Sequence, residues 1–170
     1  MKRVLVIGSA GAGKSTFARR LGEKTGLEVI HLDKLYWKPN WVETTDKVEW
    51  RRILAEILRG ESWIIDGNYG STMEMRLEAS DTVILLDFPR YVCIWRALKR
   101  VVLYRNRTRP DMAEGCNEKI DWEFLAWIWY YPKRSKPKVE NLLRRSENEK
   151  KVVRLRSKTE IENFIAKLDY

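Results

Sequence analysis

Apolar and polar positions fall into repeating blocks along the chain: short apolar runs, each followed by a helical pattern. Val4, Leu5, Val6 and Ile7 form a continuous run that predicts a buried strand. A helix is predicted over 16–24, closed by Gly26, a residue type that ends helices by turning left-handed. A second strand is predicted over 27–32, with Asp33 directly after it. The segment 34–45 reads as an aromatic loop holding Tyr36, Trp37, Pro39 and Trp41. Asp46 then suits a helix cap, with Glu49 placed to complete a capping box. Trp50, Ile53, Leu54, Ile57 and Leu58 recur at helical spacing, and Gly60 stops the pattern.

The same alternation continues. A strand is predicted over 62–65, closing on Asp66 and Gly67, then a short helix over 71–79 that carries Arg76. A fourth strand, 82–86, ends at Asp87, and Pro89 opens a long helix to 104. A polar stretch over 105–119 follows, with Arg105, Arg107 and Arg109 at alternate positions. Next come an aromatic helix over 121–131, a basic segment with Pro132 and Pro137, and a helix over 139–145. A last strand over 152–155 and a last helix over 157–168 finish the pattern, with no internal repeat. Strands alternating with helices imply an α/β fold with a parallel sheet covered on both faces. Such sheets bind ligands beyond the carboxyl ends of their strands. Lys14, Asp33, Asp66 and Asp87 all lie just past predicted strands.

Composition narrows this little. The length of 170 residues suits one domain, with a lid or insert expected over 105–138. The net charge is +9; residues 1–89 carry as many acids as bases, so the excess lies further on. The first apolar run is too short for a secretory signal, and no stretch approaches a membrane span. A cytoplasmic protein, monomeric or homodimeric, is expected. Cys93 and Cys116 lack metal-ligand spacing and are expected as free thiols.

The chemistry centres on residues 8–15, GSAGAGKS, set between a strand and a helix. This is the phosphate-binding P-loop pattern in its proper context. Its glycines let backbone N–H groups turn inward on phosphate oxygens, and the following helix adds positive potential. Gly8, Gly11, Ala12, Gly13, Lys14, Ser15 and Thr16 are the expected ATP-binding residues, with Lys14 on the β- and γ-phosphates and Ser15 on Mg²⁺. Asp66 is the favoured second residue for Mg²⁺, because Gly67 and Asn68 permit close backbone approach; Asp87 is its rival. Asp33 reads as a base or positioner for an acceptor hydroxyl, or as a turn former. Arg76, Arg105, Arg107 and Arg109 are candidates for holding phosphate groups or neutralising transition-state charge. His31, the single histidine, has no evident partner from strand alternation and reads as structural. The aromatic helix reads first as core, otherwise as a pocket wall or partner surface.

The P-loop, Asp33, Asp66-Gly67 and the arginine-bearing segment together resemble the nucleoside-monophosphate-kinase-like P-loop kinases, a group with adenylate, shikimate and gluconate kinases. The segments HLDKLYW, WIIDGNYGSTMEMR, ILLDFPR, RPDMAEGCNEKIDWEF and VVRLRS resemble the bacterial DNA topology modulation (FlaR-like) family. The kinase resemblance implies a three-layer fold around a five-stranded parallel sheet, Mg-ATP as phosphoryl donor, and a small-molecule acceptor. It implies Asp33 as an acceptor-side acid, Asp66 as the acid after the third strand, Arg105 or Arg109 as the lid arginine, and Ser157 and Lys158 beside the adenine. Asp66, Gly67 and Arg76 are also expected among the substrate-binding residues. Adenylate kinases follow the Asp-Gly with Phe-Pro-Arg, whereas here Asn68-Tyr69-Gly70 follows. The alternative reading is a nucleic-acid-binding protein switched by ATP, motivated by the basic second half. No helix-turn-helix or zinc-finger signature supports it, and the Asn-Lys-x-Asp element of GTPases is missing.

Overall fold

In the computed structural model, which describes residues 1–43, 46–105, 107–146 and 149–168, β1 (Arg3–Gly8) is the middle strand of a five-stranded parallel sheet. The end of the aromatic segment expected over 34–45, and Asn106 of the polar stretch, lie outside the described residues. The chain continues through α1 (Lys14–Thr25), β2 (Val29–His31) and α2 (Leu32–Tyr36). A small hairpin of β3 (Trp37–Lys38) and β4 (Val42–Glu43) precedes α3 (Lys47–Leu58), β5 (Trp63–Asp66) and α4 (Met73–Ala79). Then come β6 (Thr82–Leu86), α5 (Arg90–Leu103), α6 (Trp122–Arg134), α7 (Lys136–Ser146), β7 (Lys151–Leu155) and α8 (Lys158–Ala166). The sheet order is β2-β5-β1-β6-β7.

Successive strand residues point to opposite faces, so β1 feeds two cores. Leu5 and Ile7 join Trp50 and Leu54 of α3, Leu77 of α4 and Leu143 of α7. Val4 and Val6 join Phe17 and Leu21 of α1, Ala97 of α5 and Ile128 of α6. All of these side chains are buried, and each large one contributes about 1.5–3 kcal/mol over an exposed position. The result is the three-layer α/β architecture expected from the alternating pattern. No helix among the described residues is long and apolar enough to cross a membrane.

The helix caps follow local chemistry. Gly26 ends α1 at φ 71°, its N–H donating to the Gly22 carbonyl. The Asp46 carboxylate accepts from the Val48 and Glu49 amides, both at 2.8 Å. The Glu49 carboxylate pairs with Arg52 instead of closing a box.

Three segments differ from expectation. β2 stops at His31, and buried Leu32 already turns into α2, so Asp33 lies in the first turn of a helix. The segment expected as loop folds into α2 and the β3–β4 hairpin around a turn at Asn40, whose φ is 64°. Strands of two residues leave no periodic trace, and asparagine takes the left-handed conformation more readily than most residues. Pro132 lies inside α6, and Pro137 in the first turn of α7, where its missing N–H costs nothing.

Candidate active site

The site begins where β1 breaks into the glycine turn. A Cβ on Gly11 would stand 2.1 Å from the Cys93 carbonyl oxygen, and φ there is +75°, so only glycine fits between the loop and α5. The loop is braced from outside. Arg96 of α5 donates to the Ala12 carbonyl at 3.0 Å, and Asn68 donates to the Gly8 carbonyl. Lys14 Nζ donates to the Ser9 carbonyl at 3.0 Å. Burial lowers the pKa of this lysine, and the nearby Asp33 and Asp66 carboxylates oppose the shift.

An open cleft of about 910 Å³ runs along the carboxyl edge of the sheet. Gly11, Ala12, Gly13, Lys14, Ser15 and Thr16 line its middle. Toward the β2 edge lie Asp33, Trp37, Trp41, Asp66, Gly67 and Tyr69; toward the β7 edge lie Lys158 and Ile161. The sheet thus brings together side chains that are far apart in the chain.

Asp66 is buried at the end of β5, in register with both Val6 and His31. His31 Nδ1 sits 2.8 Å from its Oδ1. The single histidine therefore has a partner, contrary to the expectation from alternation within its own strand. Parallel neighbours in register project side chains to the same face, and that partner comes from the adjacent strand. Asp33 accepts a hydrogen bond from the Tyr69 hydroxyl at 2.7 Å. The Trp37 indole approaches the same hydroxyl. Burial raises the Asp33 carboxyl above its ordinary value, while the Tyr69 bond and Lys14 pull it back. Asp87 is held by Lys136 at 2.7 and 2.9 Å and does not line the cleft.

Arg76 differs from the substrate-side position expected for it. It is fully buried and donates to the carbonyls of Gly67 at 2.9 Å, Tyr69 at 2.7 Å and Thr72 at 3.3 Å. Burial pulls its pKa down to about 10. It braces the turn after β5 from behind. Arg105 is exposed and off the cleft, bridged through its backbone to Glu118. Arg109 lines the cleft, with Nη1 2.8 Å from Asp111 and Nε 2.5 Å from Glu118. Arg100 of α5 meets the same Glu118 at 3.2 Å. Ser157 spends its hydroxyl on capping α8, accepting from the Glu160 amide at 3.1 Å.

Sequence reasoning passed over Asp111, Glu118 and Tyr69. Burial acts to raise the Asp111 carboxyl, but Arg109 and the Ser15 hydroxyl hold it below its ordinary range. No local pattern shows that the polar stretch folds back to bring Asp111 onto the P-loop serine. The stretch is fastened to the β3–β4 hairpin. The Asn40 amide donates to the Gly115 carbonyl at 3.1 Å, the Trp41 indole to the Asn117 carbonyl at 3.0 Å, and the Cys116 thiol to the Lys38 carbonyl at 3.1 Å.

The aromatic helix divides its side chains three ways. Ile128 and Tyr131 are buried, Phe124 and Trp127 line the cleft with nearly parallel rings, and Trp122 and Trp129 face outward.

No protein-family model matches this sequence, and no curated protein matches it. Solved structures do. The chain is similar to a shikimate kinase from Acinetobacter baumannii in complex with shikimate, at 17% identity and TM-score 0.65, covering 99% of this chain and 90% of that one. It is similar to a sugar kinase from Janibacter sp. HTCC2649, at 21% identity and TM-score 0.57, covering 98% and 91%. It is also similar to a deoxyadenosine kinase from M. mycoides with bound dCTP, at 17% identity and TM-score 0.51, covering 97% of each chain. These likenesses show a P-loop kinase fold.

Proposed function

We propose that this protein transfers the γ-phosphoryl group of Mg-ATP to a hydroxyl of a small acceptor. The observation that carries the reading is the cleft itself: a P-loop with its lysine, faced by a half-buried carboxylate that a tyrosine positions. The kinase fold of the structural neighbours supports it.

The donor set fits magnesium. Among the described residues there is no ready-made cage of three or more His, Cys, Asp or Glu side chains. Mg²⁺ bound with a nucleotide needs none, because it keeps waters and takes few protein oxygens besides phosphates. Ser15 and Asp66 would hold it, and bound there it would supply neutralisation of phosphate charge. The chain's own residues do the rest. P-loop N–H groups and Lys14 fix the phosphates. Asp33 accepts the acceptor's proton as its oxygen attacks phosphorus, with Tyr69 keeping the carboxylate in place. Arg109 stands ready to exchange its acid partners for phosphoryl oxygens as charge spreads over them. Phe124, Trp127 and Lys158 form the wall for the adenine. The FlaR-like resemblance names a cellular effect and leaves this chemistry unchanged.

The test is ADP formation by the purified protein with Mg²⁺ and a panel of alcohols and nucleotides, beside Lys14→Ala. The wild type turns over with an acceptor; the variant loses about 100- to 1,000-fold in rate while keeping its fold. Equal turnover by the two proteins would sink the mechanism.

A further inference from the structure

Charge and shape at the β2 end of the cleft restrict what the acceptor is. Its walls are aromatic: Trp37, Trp41 and Tyr69 line the space beside Asp33. Trp37 and Trp41 meet edge to face with centroids 5.8 Å apart, and Tyr36 backs Tyr69 at 4.6 Å. Such walls take a flat ring by stacking, whatever its heteroatoms.

Kinases that act on anionic acceptors need cations to receive the anion, and here the arginines are committed. Arg109, met by Asp111 and Glu118, is taken up in the proposed transfer by the phosphoryl group, and Arg100 is met by Glu118. Arg76 is turned away onto backbone carbonyls, and Arg51 donates to the Ser71 carbonyl at 3.2 Å. Lys14 belongs to the P-loop. Lys119 lines the cleft but is exposed, where water and salt screen it. Of the other cleft arginines, Arg20 pairs with Glu162 and Arg19 is exposed on α1, where water screens it. A phosphate or carboxylate on the acceptor would come close to Asp33 and Asp111, and like charges so placed repel.

Resting on the kinase reading above, we infer that the acceptor is an uncharged, ring-bearing alcohol of the nucleoside type. Its ring lies against Trp37, Trp41 and Tyr69, and its hydroxyl lies on Asp33. In the transfer, the acceptor oxygen forms the new bond to the γ-phosphorus and the bond from that phosphorus to the β,γ-bridging oxygen breaks. ADP leaves with that electron pair, and the hydroxyl proton passes to Asp33.

The experiment offers the full-length protein nucleosides, the matching 5′-monophosphates and a hydroxy acid, each with Mg-ATP, and reads ADP formation. Nucleoside binding is read separately by quenching of tryptophan fluorescence, with no ATP present. Nucleosides are expected to exceed their monophosphates by about tenfold or more in kcat/KM. Trp37→Ala raises the nucleoside KM about tenfold with the KM for ATP unchanged, and Trp37→Phe restores most of it. Turnover with monophosphates or the hydroxy acid, but not with nucleosides, overturns this inference and leaves the kinase reading standing. Nucleoside binding that Trp37→Ala weakens, with no turnover of any acceptor, supports the pocket assignment and counts against the kinase reading. Absence of nucleoside binding at millimolar concentration overturns the inference whatever the kinase assay shows.

Discussion

Asp33 sits under opposed influences, and in the proposed transfer their balance sets the working pH. Burial raises its carboxyl, and the Tyr69 hydroxyl and Lys14 lower it again. The ionised form, which takes the proton, is lost as pH falls through that raised value. The acid limb of kcat/KM should therefore lie above the ordinary aspartate value of about 3.9. Tyr69→Phe removes a donor that favours the carboxylate, so the pKa climbs and the acid limb moves to higher pH. A pH–rate profile of the variant checks the direction; an unmoved limb would assign the base elsewhere. Arg76 shows a different use of charge. Its guanidinium satisfies three buried carbonyls, so Arg76→Ala leaves acceptors orphaned and a cavity behind them. A loss of about 3–5 kcal/mol in urea unfolding is expected. At this scale the sequence was informative about identity and blind to partnership. Lys14, Asp33 and Asp66 lie beside the cleft as their positions after strands implied. Nothing in local spacing tells that Arg76 faces inward or that His31 meets Asp66, because both depend on contacts from other segments.

Elements were legible where their pattern was long. The four strands β1, β5, β6 and β7, and the helices α1, α3 and α5, fall within a few residues of their predicted spans. These segments bury continuous apolar runs or one regular helix face, and tertiary contacts only reinforce that pattern. The β3–β4 hairpin was not legible, since its form depends on docking against residues 115–117. The P-loop is the element most exposed to local change. Gly11→Ala must push the loop and α5 apart, because the added carbon has only a backbone carbonyl to displace. ATP affinity should fall at least tenfold, with a stability loss of about 1–3 kcal/mol. Titration with a fluorescent ATP analogue and a thermal melt separate the two effects.

Across the molecule, several cations of the basic second half are used internally. Arg96 holds the P-loop, Arg100 and Arg109 share Glu118, Lys136 holds Asp87, and Arg154 pairs with Glu140. Of these, Arg96, Arg100 and Arg109 line the cleft. The seam between the hairpin and residues 115–117 also turns the protein into its own clock. Its two thiols are both buried, Cys116 in that seam and Cys93 in the core behind the P-loop. A thiol reagent reaches Cys116 only when the seam parts, and Cys93 only when the core unfolds. Labelling of the native protein should therefore proceed in two phases, the fast one counting partings of the seam. A bound acceptor should lengthen that phase and leave the slow one alone, so that a reagent blind to chemistry reports how long the seam stays closed.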